Sequence, residues 1–389
     1  MIVMKFGGAV LRNEDGFRCM GKILRTAETP VLVVVSAFAS ATRDLEGAAR
    51  LAQKGLHDEA SAGIETLMTV HKELAKALFT DQKIHEAIDA FIDEARVQLL
   101  DLVTGVTITR QLTPRTLDRI LAYGELLAVH IARHVLQAEG LDVVGVDAGH
   151  IIVTTNEHGN AVPLVEKTRV RVEHDLRPLF AQHRCVLIQG FVGKTEEGAT
   201  STMGKESSNL TASLLGGMLG ADEIVIWTDV EGVRSADPNV CTNTQLRANM
   251  SYTQARAAAR NGLKLLYPTM IDPAERAQIP MRIACAYKPE GESTVIDAGR
   301  HTCGAIVIVN PLANTDTRSN EEMSSVTTLF ANQKQWLQCA SLIASYMNDG
   351  DAFDVMSQHR DVAMHMQVNT SSAHLVAQQF HTQLVIEAN

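Results

Sequence analysis

The sequence predicts an α/β fold: a three-layer sandwich around a mostly parallel sheet, followed by a smaller ferredoxin-like C-terminal domain of order βαββαβ. Three observations predict it. Continuous apolar, β-branched runs such as Val31-Leu32-Val33-Val34-Val35 and Cys185-Val186-Leu187-Ile188 have the pattern of strands buried on both faces. They alternate with segments of helical periodicity, as layered α/β folds do. After about residue 300 the texture changes, and the tail reads strand, helix, strand, strand, helix, strand.

Residues 2–6 form a short strand closed by Gly7-Gly8, and residues 13–26 follow with a helical pattern. After the strand at 31–35, residues 41–112 are mostly helical and read as an insertion on top of the sheet. Thr113-Pro114-Arg115 punctuates, and residues 117–138 read as a long helix. Residues 141–146 and 151–154 are short strands, and the strand at 185–188 ends at Gly190. A helix at 210–219 precedes a strand at 223–227; residues 252–265 are helical and 281–284 a strand. Residues 310–325 are polar and linker-like. Beyond them the strands are predicted at 326–330, 352–356, 362–367 and 382–386, and the helices at 334–347 and 371–380.

A chain of 389 residues, 46% of them hydrophobic, is long enough for two or three domains with ample core. The formal net charge of −10 and 4% aromatic content argue against nucleic-acid binding, which needs basic surface and stacking rings. No apolar run is long enough to span a membrane, and the N-terminal residues do not read as a signal peptide. The six cysteines are scattered without a CxxC pair, which points away from zinc and disulfides and towards a reducing cytoplasm.

Four segments carry chemistry. Lys5-Phe6-Gly7-Gly8 follows a strand, where bare glycine backbone lets a phosphate approach and Lys5 supplies charge. Gly190-Phe191-Val192-Gly193, Gly198 and the Ser/Thr-rich stretch 201–209 run from a strand into a helix N-terminus, a ready-made anion site. This is not a Walker A loop, because Gly204-Lys205 is followed by Glu206. The third segment runs from Trp227 to Pro238, where Asp229 and Asp237 are suited either to nucleotide hydroxyls or magnesium, or simply to turn formation. The fourth places Lys264 near a helix end and close to Pro268. Glu125, in Tyr123-Gly124-Glu125, reads by itself as a solvated carboxylate on a helix surface.

In this order the segments resemble the aspartate kinases of the amino-acid kinase superfamily. The resemblance also takes in Val34-Val35-Ser36-Ala37 with Thr42, Gly124-Glu125, residues 147–154, Met250-Ser251-Tyr252, and Ile279-Pro280-Met281-Arg282-Ile283. It covers residues 1–300 and implies the carbamate-kinase-like sandwich as a catalytic domain. A linker at 301–325 and an ACT-like regulatory or dimerisation domain at 326–389 would follow. The implied reaction moves the γ-phosphoryl group of ATP, with Mg2+, onto the β-carboxylate of L-aspartate. That gives 4-phospho-aspartate, on the way to lysine, threonine and methionine. Lys5 and Lys264 would neutralise phosphate charge, and Asn209 would orient these lysines. Ser36, Thr42, Glu125, Lys205 and Ser208 would bind the substrate, with Glu125 on its ammonium. Gly7, Gly8, Thr228, Asp229, Gly232, Asp237, Pro238 and Lys264 would hold ATP. A lysine or threonine effector and a homodimer through the tail are further implications.

The chain departs from that pattern where the family has Thr-Ser (Ala9, Val10), Arg (Lys205), Asp (Asn209) and Ser (Ala128), and in the added charge of Glu206. Lys205 keeps a cation but not the two-pronged guanidinium. A kinase for another amino acid, such as glutamate or acetylglutamate, and a non-catalytic amino-acid sensor remain open alternatives.

Overall fold

The computed structural model describes residues 1–38, 40–299, 301, 304–311, 323–330, 333–349, 354–358 and 363–386. They divide into two compact units, Met1–Val230 with Ala284–Pro289, and Glu231–Ile283 with Glu290–Asn389.

The first unit opens with β1 (Ile2–Phe6), α1 (Glu14–Thr26) and β2 (Val31–Val35). The predicted helical insertion is α2 (Ala41–Gln53), α3 (His57–Leu78) and α4 (Gln82–Thr109). Leu45, Ile64, Ile92 and Leu99 of these helices share one buried core with β1 and β2. Helix α5 (Pro114–Ala138) starts where Thr113 accepts a capping bond from the Thr116 N–H and Pro114 takes the first turn. Then come β3 (Val143–Val146), α6 (Ala148–Ile151), β4 (Val153–Thr154), α7 (Val165–Arg171), β5 (Cys185–Gln189), β6 (Val192–Thr195) and β7 (Thr200–Thr202). Helix α8 (Ser207–Leu219) and β8 (Glu223–Thr228) complete the unit.

Strands β3, β5, β2, β1 and β8 lie side by side in that order. Each neighbouring pair is parallel, with Val33 level with Met4 on one side and Leu187 on the other. Helices cover both faces, so β2 is buried at every position. The two-residue period of β1 turns Met4 and Phe6 into the core shared with α1 and α5. Val3 and Lys5 face the other way, towards α8. There Gly216 brings the helix so near that an added Cβ would lie 3.0 Å from Ile224 and 3.3 Å from Val3.

The second unit holds β9 (Asn249–Ser251) and α9 (Tyr252–Arg260), whose start is a reciprocal Ser251–Gln254 capping box. Helix α9 stops at Arg260, short of the predicted 265, because Asn261-Gly262 turns the chain, with Gly262 at φ 87°. After α10 (Pro268–Ala277), β10 (Met281–Cys285) crosses the unit division and β11 (Ser293–Asp297) runs parallel to β9. The tail contains β12 (Ile306–Pro311), β13 (Met323–Leu329), α11 (Gln333–Asp349), β14 (Asp354–Gln358), β15 (Ala363–Asn369) and α12 (Thr370–His381). Its antiparallel sheet has the order β12-β13-β15-β14.

One predicted strand is corrected. Residues 382–386 wind on from α12 as a π-helical turn that buries Leu384 and Val385. No Gly, Pro or Asn separates them from the helix, so nothing forces the chain into extended form. The fourth strand is β12 instead, the β-branched run Ile306-Val307-Ile308-Val309 paired with β13. Thus residues 306–311 and 323–325 of the stretch read as linker are strand, while its residues 312–322 lie outside those described. Residues 352–353 and 362, read as strand, also lie outside them. Among the described residues no helix is long and apolar enough to cross a membrane.

Leu32, fully buried at the centre of the parallel sheet, tests this packing. Leu32→Ala should lower unfolding free energy by about 2–5 kcal/mol in urea titrations.

Candidate active site

Parallel order brings the C-terminal ends of β1, β2 and β5 to one edge, the usual place for ligands in open α/β sheets. Lys5 lies one residue from the end of β1. Ser36 follows β2 and donates its N–H to the Phe6 carbonyl at 3.1 Å; Gly190 follows β5 and donates to Val35 at 2.9 Å. The edge opens into a cleft of about 570 Å³, lined among others by Lys5, Gly8, Ser36, Thr42, Glu125 and Ser208.

Lys5 is 5% exposed. Burial pushes its ammonium down to about 8, against the opposing pull of the Glu206 and Glu125 carboxylates. At Gly7 a Cβ would sit 3.0 Å from the Lys5 Nζ, so the bare backbone leaves the amine its space.

The sequence alone reads Glu125 as a solvated surface carboxylate; it is instead 3% exposed. The reason is its neighbour. Gly124 lets α5 approach until an added Cβ would lie 3.0 Å from the Ala37 Cβ. That contact brings the Ala37 N–H to donate to Glu125 Oε1 at 3.2 Å. The other oxygen, Oε2, is buried with no partner. Burial raises this carboxyl from an ordinary 4.5 to about 8, with the Ala37 N–H and the Lys5 charge opposing.

The start of α8 forms another wall. Ser207, Ser208 and Asn209 are buried, and Ser207 Oγ and Asn209 Oδ1 have no partner. The helix comes so close to the end of β5 that a Cβ on Gly190 would lie 2.4 Å from the Ser208 Cβ. Just before α8, Lys205 is exposed on the cleft wall. Glu206 sits at φ 64°, a left-handed conformation that few side-chain-bearing residues adopt. Its carboxylate does not cap the helix.

Thr228 and Asp229 belong to the same unit, at the end of β8 and outside the cleft lining. The Thr228 carbonyl accepts the Ala286 N–H at 2.8 Å, and Asp229 Oδ2 lies 3.6 Å from Arg12 Nη1. Gly232, Asp237, Pro238 and Lys264 are in the second unit. Asp237 acts there as a turn former, its Oδ1 accepting from the Asn239 N–H at 2.9 Å. Lys264 is exposed in the turn between α9 and α10, not near the end of a helix as read from sequence.

The structure adds two lining residues that sequence reasoning passed over, Asp118 and Arg43, beside Phe191 and Thr202 of the segment already read as an anion site. Asp118 was legible, because seven residues before Glu125 is two helical turns and therefore the same face. Among the described residues no group of three or more His, Cys, Asp or Glu side chains could hold a metal ion. The cleft thus combines a buried amine, the buried Ser208 at a helix start and an unmatched carboxylate oxygen. Such a set suits a ligand carrying both an ammonium and anionic groups.

The chain matches the model of the amino acid kinase family over residues 1–285. It is 30% identical to "Aspartokinase 1, chloroplastic" of Arabidopsis thaliana over 78% of its own length and 53% of the relative. It is 26% identical to "Lysine-sensitive aspartokinase 3" of Escherichia coli K12, over 76% of its length and 64% of the relative. The chain therefore spans about half the length of the Arabidopsis relatives it matches. In fold it is similar to the crystal structure of E. coli aspartokinase III in complex with aspartate and ADP. That likeness has a TM-score of 0.85 at 18% identity and covers 99% of both chains.

The buried carboxyl has a measurable signature. Folding must protonate Glu125 or bury its charge between pH 4.5 and about 8, so its cost grows with pH across that window and then levels. Glu125→Gln should therefore stabilise the protein by an amount that rises from pH 4.5 to 8, read as urea midpoints at each pH.

Proposed function

The chain belongs to the amino acid kinase family, and on that footing we propose that it is an aspartate kinase. It would transfer the γ-phosphoryl group of ATP to the β-carboxylate of L-aspartate and give 4-phospho-aspartate. One observation carries the reading: the unmatched Oε2 of Glu125 and the buried amine of Lys5 line one cleft. Aspartate offers an ammonium for the first and a carboxylate for the second. The aspartokinase names of its relatives support the same acceptor.

The chemistry asks little covalent help. A β-carboxylate with a pKa near 4 is already a nucleophile at neutral pH, so no base is needed. Glu125 fixes the ammonium, while Ser36, Thr42, Lys205 and Ser208 hold the rest of the acceptor. Lys5, against Gly7 and Gly8, balances charge on the phosphoryl group in flight. A magnesium ion carried on the phosphates would offset further charge there. Asn209, whose Oδ1 is unpaired, would offer that oxygen to the Lys5 ammonium; Thr228 and Asp229 would serve the nucleotide, the role also proposed for Gly232, Asp237, Pro238 and Lys264. Residues 326–389 are proposed as an ACT-like domain for pairing between copies and for an amino-acid effector, in a cytoplasmic protein. A non-catalytic sensor is the second reading, favoured by the carboxylate that Glu206 adds to the cleft wall.

ATP- and magnesium-dependent hydroxamate formation, run with aspartate, glutamate and acetylglutamate, tests the proposal. Turnover is expected with aspartate alone, and Lys5→Ala should lose at least about 100-fold. A folded protein that binds aspartate but turns over none of the three would favour the sensor.

Binding has a second expected outcome. At pH 7 the empty cleft holds Glu125 mostly protonated, and an ammonium beside it favours the carboxylate. Calorimetry in buffers of different ionisation enthalpy should show aspartate releasing close to one proton at pH 7 and less at pH 9. Glu125→Gln should abolish the release.

A further inference from the structure

Asp118 is a buried carboxyl group that the proposed reaction does not use. It is 1% exposed, lines the cleft, and stands on α5 two turns before Glu125. Its carboxylate is fully engaged. Oδ1 accepts the Thr202 hydroxyl at 2.5 Å, and Oδ2 accepts the Gly159 N–H at 3.1 Å and faces His158 Nδ1 at 2.7 Å. These donors come from two separate places, the end of β7 and the turn at 156–160.

The turn bears directly on the segment that leads into α8. Asn160 Oδ1 would lie 2.7 Å from a Cβ on Gly204, a residue at φ 87° that only glycine fills easily. The Ala161 N–H donates to the Thr202 carbonyl at 3.0 Å, so turn and strand are tied at backbone level too. Beyond Gly204 the chain goes straight into Lys205, Glu206 and the buried serines of α8. One carboxylate therefore anchors both the turn and the strand that fix where this wall stands. The opposite wall, at Glu125, belongs to the same helix as that carboxylate.

We propose that Asp118, with Thr202 and His158, is a positioning cluster for the acceptor: it sets the spacing between the Gly204–Ser208 wall and Glu125. The cluster touches no reacting atom. Its effect is on how well the two walls fit one amino acid at once, which enters binding of the acceptor rather than of the nucleotide. The proposal rests on the cleft being the acceptor site.

Steady-state kinetics of Asp118→Asn, Thr202→Val, Thr202→Ser and His158→Phe test it. Asp118→Asn and Thr202→Val should raise the aspartate KM about tenfold, with kcat within about threefold and the ATP KM unchanged. Thr202→Ser keeps the hydroxyl and should restore the normal KM, and His158→Phe should fall between. A merely structural role would shrink the folded fraction, lowering apparent kcat and leaving KM alone; that pattern in Thr202→Val overturns the proposal. Should the wild-type protein turn over no acceptor, it is the kinase reading that fails. The same variants are then read by calorimetric affinity for aspartate, where about tenfold weakening upholds the cluster and unchanged affinity in Thr202→Val overturns it.

Discussion

The parallel register of β5, β2 and β1 is the constraint on which the rest of the site depends. Because Val33 is level with both Met4 and Leu187, the three strands finish together. Lys5, Ser36 and Gly190 then emerge on one edge without any loop having to reach for it. A slip of one residue in β1 would exchange Lys5 with Met4 and bury the amine in the hydrocarbon core of α1 and α5. The register is held because every position of β2 is buried and tolerates only apolar side chains on either face.

The cleft is built at the expense of the fold that carries it. Glu125 and Lys5 are both buried, both with ionisations pushed to about 8, and one carboxylate oxygen has nothing to bond. Asn209 and Ser207 add unsatisfied atoms at the start of α8. Buried groups of this kind lower stability unless a ligand completes them. Other buried polar atoms without a partner, such as Ser61 Oγ and His71 Nε2, lie elsewhere in the fold, so what sets this edge apart is the pairing of such atoms with two buried ionisable groups, Lys5 and Glu125.

Much of this was legible in the sequence, and the failures have physical reasons. The strands of the first sheet were readable because burial on both faces leaves an uninterrupted apolar run. The helical insertion was readable from its period. Residues 382–386 were misread because Leu384-Val385-Ile386 is equally apolar in a strand or a buried helical turn, and only the absence of a breaker after α12 decides between them. The burial of Glu125 could not be seen locally, since it follows from Gly124 meeting Ala37 across a separation of 88 residues between Ala37 and Glu125. Asp118 could have been found from helix periodicity, but its donors in the turn and in β7 could not, because they come from distant parts of the chain. The family resemblance placed the cleft residues Lys5, Ser36, Thr42, Glu125, Lys205 and Ser208 together, and the cleft lining has all six.

The strand order carries a further consequence, in time rather than space. Strand β1 is flanked by β2 and β8, so one of its edges waits until the chain has been made through Thr228. At about 5–20 residues per second, the synthesis that follows Val35 leaves that edge open for on the order of tens of seconds. The strand bearing Lys5 thus keeps one apolar edge unpaired for much of translation, the condition under which nascent chains mispair or recruit chaperones. Pairing of β1 with β8 is therefore a long-range closure, and the surroundings of Lys5 are completed late in synthesis.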